Sequence, residues 1–264
     1  MCGITGIFAF NLVGKFNKVN TAAATMCLEL RGPDNQNIYN DDWVALGHRR
    51  LSIIDTSSDG NQPMWDESGR YCIAFNGEIF NYRELRQQLE AKGITFFSHS
   101  DTEVLLKLYM LEKEKCLNKL NGFFALCIYD KVEQTFFVAR DRYGVKPLLY
   151  VFDEDKFLFA SEMKSIIQYG IDRTLDYNSL YSYLQLNYIP APDTIFKHVK
   201  KLLPGHYLTI ANKQLKIGKF YDIPTAQNNI ISYDDAKKKL IALLDASVQR
   251  RLISDVPLGA FLSG

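Results

Sequence analysis

Cys2 stands between the initiator methionine and Gly3, a placement that joins two chemical functions on one residue. A small residue after Met1 allows the methionine to be removed, leaving cysteine at the start of the chain with a thiol and a free α-amine. A thiol with a pKa of about 8.5 is mostly protonated at neutral pH, whereas an α-amine titrates near ~8 and can take up the thiol's proton. Nucleophile and base then sit on one residue. An isolated cysteine at the head of a buried strand reads more simply as a small apolar residue. Other reactive residue types follow downstream: His48-Arg49-Arg50-Leu51-Ser52-Ile53-Ile54-Asp55, Phe75-Asn76-Gly77-Glu78-Ile79-Phe80-Asn81-Tyr82, and Ser100-Asp101-Thr102-Glu103. They supply hydrogen-bond donors for a developing oxyanion, a fixed cation and acidic acceptors, which is the equipment of acyl transfer on a charged small molecule.

Arg31-Gly32-Pro33-Asp34, Arg140-Asp141-Arg142-Tyr143-Gly144-Val145-Lys146-Pro147 and the closing Ser254-Asp255-Val256-Pro257-Leu258-Gly259-Ala260-Phe261-Leu262-Ser263-Gly264 complete the set. In order and spacing these segments resemble the glutaminase domain of the class II glutamine amidotransferases, which are N-terminal-nucleophile hydrolases. The resemblance is strongest to the glutamine-hydrolysing asparagine synthetases and covers essentially the whole chain. It implies that Cys2 attacks the side-chain amide of L-glutamine, with the Asn76 side chain and Gly77 N–H as the oxyanion hole. It implies Arg50 as the carboxylate-binding cation, a pocket lined along Leu51, Ser52, Ile53 and Ile54, and Asp101 and Glu78 as receivers of the ammonium. It also implies that Leu262, Ser263 and Gly264 open a pyrophosphate loop for ATP, with Mg, aspartate and ATP serving a synthetase domain that the chain only begins. Glutamine hydrolysis itself is expected to need no cofactor and no metal. Leu30 departs from the family, which usually carries histidine before Arg-Gly-Pro-Asp.

The residues also admit plainer readings. Asn-Gly is a turn dipeptide and would end a strand over Tyr71 to Phe75; oxyanion donation is compatible with that. Arg50 reads otherwise as a surface arginine on a strand edge, a description that suits Arg49 better, because Leu51, Ile53 and Ile54 tie the segment into the core. Ser100-x-x-Glu103 is a capping box, which competes for Asp101. His48 is expected to be packed or hydrogen-bonded rather than catalytic, since the terminal amine makes a histidine base unnecessary, and His99, His198 and His206 have weaker claims. Arg31, Asp34, Arg140 and Asp141 are expected to hold loops through buried ion pairs or hydrogen bonds. Within the same chemistry, the alternative acceptors of the ammonia are another ATP-activated carboxylate or a sugar phosphate; a non-catalytic glutamine-binding module is the rival from another class.

With 264 residues, 47% hydrophobic, and a net charge of +1, the chain suits an ordinary soluble globular protein and gives no electrostatic sign of a nucleic-acid partner. Five cysteines without Cys-x-x-Cys spacing suggest neither a disulfide framework nor a zinc site and fit a reducing cytoplasm. No apolar run approaches the ~20 residues of a membrane span. A homodimer is compatible with the resemblance.

Short strands with a few helices between them fill residues 1–210. Hairpins are expected over Phe123–Ala139 and Leu148–Ala160, apolar on nearly every residue and therefore covered on both faces. Helices over Asn81–Lys92, stopped by Gly93, and over Thr102–Lys113 would supply the cover. Two stacked antiparallel sheets between helix layers follow, and the resemblance implies the four-layer αββα sandwich, an α+β fold. Residues 211–232 are expected to be a linker, with the polar stretch Tyr221 to Asn229 at its centre. The span 233–264 is expected to open an α/β ATP-pyrophosphatase-type domain: a helix to about Leu252, capped by Ser232 or Asp234, with Ala236, Leu240, Leu243, Leu244 and Val248 on one face, then a buried strand Val256–Leu262.

Overall fold

The computed structural model describes residues 1–225 and 231–262. In chain order its elements are β1 (Gly3–Ala9), α1 (Leu12–Lys18), α2 (Thr21–Met26), β2 (Asn35–Asn40), β3 (Val44–Arg50), β4 (Met64–Trp65) and β5 (Tyr71–Ile79). Helices α3 (Tyr82–Glu90) and α4 (Asp101–Glu112) precede β6 (Gly122–Asp130), β7 (Thr135–Arg140), β8 (Leu149–Phe152) and β9 (Lys156–Ala160). The remaining elements are α5 (Met163–Gln168), α6 (Tyr177–Leu186), β10 (Lys200–Lys201), β11 (His206–Ala211), β12 (Gln214–Lys219) and α7 (Tyr233–Arg250).

Two six-stranded sheets result, one ordered β10-β8-β9-β1-β3-β2 and the other β12-β11-β7-β6-β5-β4, with antiparallel pairing throughout. The period of two along each strand sorts side chains between the layers. In β1, Ile4 and Phe8 join a core between the sheets, while Ile7 points outward onto α2 and α5. In β5 and β6, Cys72, Ala74, Ala125 and Cys127 face inward, and Ile73, Phe75, Phe124 and Leu126 face outward against α3 and α4. Strands buried on both faces need cover on both, and the four-layer αββα sandwich expected from the sequence provides it. Each fully buried Leu, Ile or Phe in these layers contributes about 1.5–3 kcal/mol relative to exposure.

Three expectations need correction. The strand β5 does not end at Phe75: Asn76 and Gly77 lie inside it, opposite Ala125 and Phe124 of β6. A local turn signal yields here to nine residues of cross-strand pairing. The span 211–232 is not wholly a linker, because β12 pairs along β11 from Ala211↔Gln214 to His206↔Lys219 and closes the sheet edge. Its alternation of Leu215 and Ile217 with polar residues is that of a half-exposed edge strand. Residues 256–262 form no strand; no neighbouring strand among the described residues offers them a ladder, and Phe261 and Leu262 are exposed.

Helix α7 forms as expected, with the Ser232 Oγ accepting from Asp235 N. Its apolar positions Leu240, Leu243, Leu244 and Val248 are open to solvent. Of the expected linker, 226–230 lie outside the described residues, as do Ser263 and Gly264 of the expected nucleotide loop.

Candidate active site

The alternation that builds the core also aims the site. Position 2 continues the inward-facing series of β1, so the Cys2 side chain opens at one end of the inter-sheet layer. There Leu51 brackets the sulfur: its N–H donates to Cys2 Sγ at 3.4 Å and its carbonyl lies 3.6 Å from Sγ. Arg31 holds the same residue from behind, donating from Nε to the Cys2 carbonyl at 2.9 Å while its Nη1 pairs with Glu162 at 2.9 Å. Burial pushes the Cys2 thiol above its ordinary pKa, opposed by the Leu51 N–H. Burial also lowers the α-amine of Met1; the Cys2 charge opposes that shift, and the Lys146 and Arg31 cations add to it.

Cys2 opens into a cavity of about 210 Å³ lined also by Arg50, Asn76, Gly77, Glu78 and Asp101. Asn76 is fully buried, and neither its Nδ2 nor its Oδ1 has a hydrogen-bond partner among the described residues. A buried, unsatisfied amide is rare because desolvating it without compensation costs about 1–3 kcal/mol. The neighbouring Gly77 amide is also open, for a reason that lies in the ladder. Phe124 bonds Asp141 with both its N–H and its carbonyl, so its strand neighbours Phe123 and Ala125 are the ones that face β5. Their partners Glu78 and Asn76 then bond β6, and Phe75, Gly77 and Ile79 direct their backbone groups to the opposite edge. On that edge Gln62 Oε1 accepts from Phe75 N at 2.7 Å and Asp101 Oδ2 accepts from Ile79 N at 2.9 Å. Between two plugged positions, the Gly77 N–H has no partner among the described residues. Glycine is required here: a Cβ would meet the Phe123 carbonyl at 2.3 Å.

The far end of the cavity holds the charged groups. Arg50, inward-facing on β3 and buried, donates from Nη1 to Ser57 O at 2.6 Å and to Asn61 Oδ1 at 2.8 Å, and from Nη2 to the carbonyls of Ile54 and Asp55. All four partners are neutral oxygens, so these contacts fix the guanidinium without cancelling its charge. Gly60 packs directly on it, where a Cβ would lie 2.2 Å from Nη2. Asp101 begins α4, but the capping role belongs to Ser100, whose Oγ accepts from Thr102 N at 3.0 Å. Glu103 does not close the box either; it accepts from the N–H groups of Phe97 and Ser98. The Asp101 carboxylate accepts from Ile79 N and is buried at the cavity wall. Burial pushes its pKa up to about 7, the Ile79 N–H opposing and Glu78 adding to the shift.

Most of the expected pocket residues meet in this one cavity; Ser52 does not line it, being turned so that its N–H donates to Asp34 Oδ2 at 2.8 Å. Leu262 lies exposed and away from it. Arg49 is no surface arginine: outward-facing but buried, it donates to Gly32 O and Gln36 Oε1 and ties down the 31–34 loop. His48 is buried against Phe75 O at 3.1 Å, and burial lowers its pKa to about 3, which leaves it neutral and a poor base. Asp141 accepts from the N–H groups of Phe124, Tyr143, Val145 and Lys146, and Arg140 donates to the carbonyls of Lys146, Leu202 and Gly144, so both brace loops through backbone bonds. Sequence reasoning missed Gln62, Lys146 and a wall made by Arg251, Ile253 and Leu258. Lys146 lies in the 140–147 segment, in which only Arg140 and Asp141 are expected to hold loops; Gln62 and the wall carry no local signal.

Two stacked antiparallel sheets between helix layers, with Cys2 just ahead of β1 and facing open amide donors, make an N-terminal-nucleophile-hydrolase-like fold. The chain belongs to the family of the glutamine amidotransferase domain, whose sequence model matches residues 1–221. Among curated relatives it is 39% identical to asparagine synthetase [glutamine-hydrolyzing] 1 of Bacillus subtilis and 37% identical to a putative asparagine synthetase [glutamine-hydrolyzing] 2 of Methanocaldococcus jannaschii, all of this chain being matched in both. The chain spans 42% of the first protein's length and 55% of the second's. A solved structure of glutamine phosphoribosylpyrophosphate amidotransferase from B. subtilis, complexed with ADP and GMP, shares the fold with a TM-score of 0.59 at 22% identity, over 83% of this chain and 49% of that one.

Proposed function

We propose that this chain hydrolyses the side-chain amide of L-glutamine to glutamate and ammonia, with Cys2 as an N-terminal nucleophile after loss of Met1. Cys2 Sγ forms a bond to the amide carbon as its proton moves to the α-amine. The C–N bond then breaks, the amine returns the proton, ammonia leaves, and a glutamyl thioester remains. Water, deprotonated by the same amine, attacks the thioester and releases glutamate and the free thiol. Removal of Met1 serves twice, since it moves the amine onto Cys2 and takes away a side chain that lines the cavity.

The observation that carries this reading is the buried, unpartnered Asn76 amide beside the open Gly77 N–H, in the cavity that Cys2 enters. Two preorganised donors suit an oxyanion formed on a carbonyl attacked by that sulfur. Arg50 at the far end suits the α-carboxylate, and Asp101, aided by Glu78, suits the ammonium. In the asparagine synthetases it resembles, the names imply that ammonia goes on to asparagine; we assign the same destination here, with aspartate as acceptor and ATP and Mg used by the remainder of a longer protein. Glutamine hydrolysis as written consumes only water. A reducing cytoplasm suits five cysteines, all of them free.

Incubation with L-glutamine alone is expected to release glutamate and ammonia in equal amounts, without ATP. Absence of ammonia from a folded sample lacking Met1 overturns the reading.

A further inference from the structure

The wall that sequence reasoning missed comes from outside the region matched by the amidotransferase family model, which ends at residue 221. After α7 the chain returns across the sandwich. The Arg251 guanidinium lies over the rings of Phe80 and Phe123, at 5.1 and 4.9 Å. Ile253 packs on the core beneath α3 and α4 and, with Leu258, lines the cavity. Between them Asp255 grips the 53–55 loop with two hydrogen bonds: its N–H donates to Ile53 O at 2.9 Å, and its carboxylate accepts from Asp55 N at 2.8 Å.

Asp55 is the point where both charged ends of the pocket meet. Its carbonyl, with that of Ile54, accepts from Arg50 Nη2. One carboxylate oxygen accepts from Ser57 N–H and Oγ–H, and Ser57 O is itself an acceptor for Arg50. The other accepts from His99 N at 2.8 Å, on the loop that delivers Asp101. Asp55 does this with φ at +53°, a conformation that a residue other than glycine keeps only when its surroundings hold it. The surroundings include Asp255, on the side facing away from the pocket.

We propose that Asp255 is a positioning residue for the glutamine pocket, through which the segment following α7 sets the affinity of the amidotransferase site. Asp255 touches no substrate; it holds Asp55, and Asp55 aligns the carboxylate grip at Arg50 and the loop leading to the ammonium grip at Asp101. Displacing the segment frees both together, so its placement is reported to the glutamine site over two hydrogen bonds. This inference rests on the glutaminase reading given above.

The test compares wild-type chain with Asp255→Ala and Asp255→Asn in steady-state glutamine hydrolysis. Asp255 is solvent-exposed, and melting curves check that each variant is folded. Asp255→Ala is expected to raise the glutamine KM about tenfold with kcat nearly unchanged, the loss of one charge-assisted hydrogen bond expressed in binding. Asp255→Asn keeps an oxygen acceptor for Asp55 N–H and is expected to restore most of the affinity. The concentration of a glutamine-mimicking diazoketone that half-saturates Cys2 labelling should move in parallel with KM. An unchanged KM in Asp255→Ala beside an active wild type overturns the positioning role and leaves the glutaminase reading standing. Equal impairment in the Ala and Asn variants also overturns it. A wild-type control that does not turn over glutamine takes down both.

Discussion

The two ends of the cavity are built on opposite plans. At the Cys2 end, strands β1 and β5 hold an amide side chain and a backbone N–H that are left without partners. At the Arg50 end, loops hold a guanidinium that already has four neutral acceptors, and a carboxylate that already accepts from Ile79 N. Open donors are useful where charge appears only during reaction; saturated, fixed charges are useful where a charged head group must be recognised before reaction. The difference teaches that rate and affinity should separate along the cavity, and substitution at each end can break or sharpen that division.

The largest effect is expected at the sulfur. Cys2→Ala should lower glutamine hydrolysis by more than roughly 10³-fold, with the melting temperature nearly unchanged, since one small residue replaces another; ammonia release and a thermal melt check both. Asn76→Ala comes next, with kcat reduced roughly 10²- to 10³-fold for one lost oxyanion donor and KM little affected. Because the native amide is buried without partners, removing it should cost little stability. A large rise in KM with kcat intact would show that Asn76 binds the ground state instead.

At the other end Arg50→Ala is expected to raise the glutamine KM about 10²-fold with less damage to kcat, as truncation of a buried charge partner does. It should also destabilise the fold by about 1–3 kcal/mol, because it strips the 54–61 carbonyls of their donor. The smallest of these effects, and the most diagnostic, concerns Asp101. Its folded pKa of about 7 lies above the ordinary 3.8, so the folded chain binds the extra proton between those values. Two consequences follow in sign. Below about pH 7 Asp101 loses the charge that an ammonium needs, and kcat/KM for glutamine should fall as pH drops through that value. Its ionised form opposes folding, so stability from this group is present at low pH and lost as pH rises through about 7. Asp101→Asn should therefore raise KM about tenfold, flatten the acidic limb of the kcat/KM profile, and leave the melting temperature at pH 8 equal or higher.

How much of this was legible depended on the range of the interaction. Cys2, Arg50 and Asp101 are legible through the resemblance of their segments to the amidotransferase family, in which motif order and spacing mark the positions without showing the contacts. The apolar Leu51, Ile53 and Ile54 that follow single out Arg50, but they do not reveal that Arg49 is buried beneath the 31–34 loop. Asn76-Gly77 carries a turn signal beside its oxyanion chemistry, and the turn does not form. What keeps it in a strand is β6 on one edge and Gln62 and Asp101 on the other, all distant in sequence. The strand expected over Val256–Leu262 failed for the converse reason: strand propensity needs a partner strand, and none lies beside it among the described residues. The hydrogen bonds of Asp255 are not legible in its motif, because they reach back to Ile53 and Asp55, far off in sequence.

The most direct test joins processing to reactivity in one mass spectrum. Purified chain treated with a glutamine-mimicking diazoketone should carry a single adduct on an N-terminal peptide that starts at Cys2 and lacks Met1, and excess L-glutamine should protect it. An adduct on a peptide that still begins with Met1, or on any other cysteine, would contradict the account of residue 2 as nucleophile and base in one.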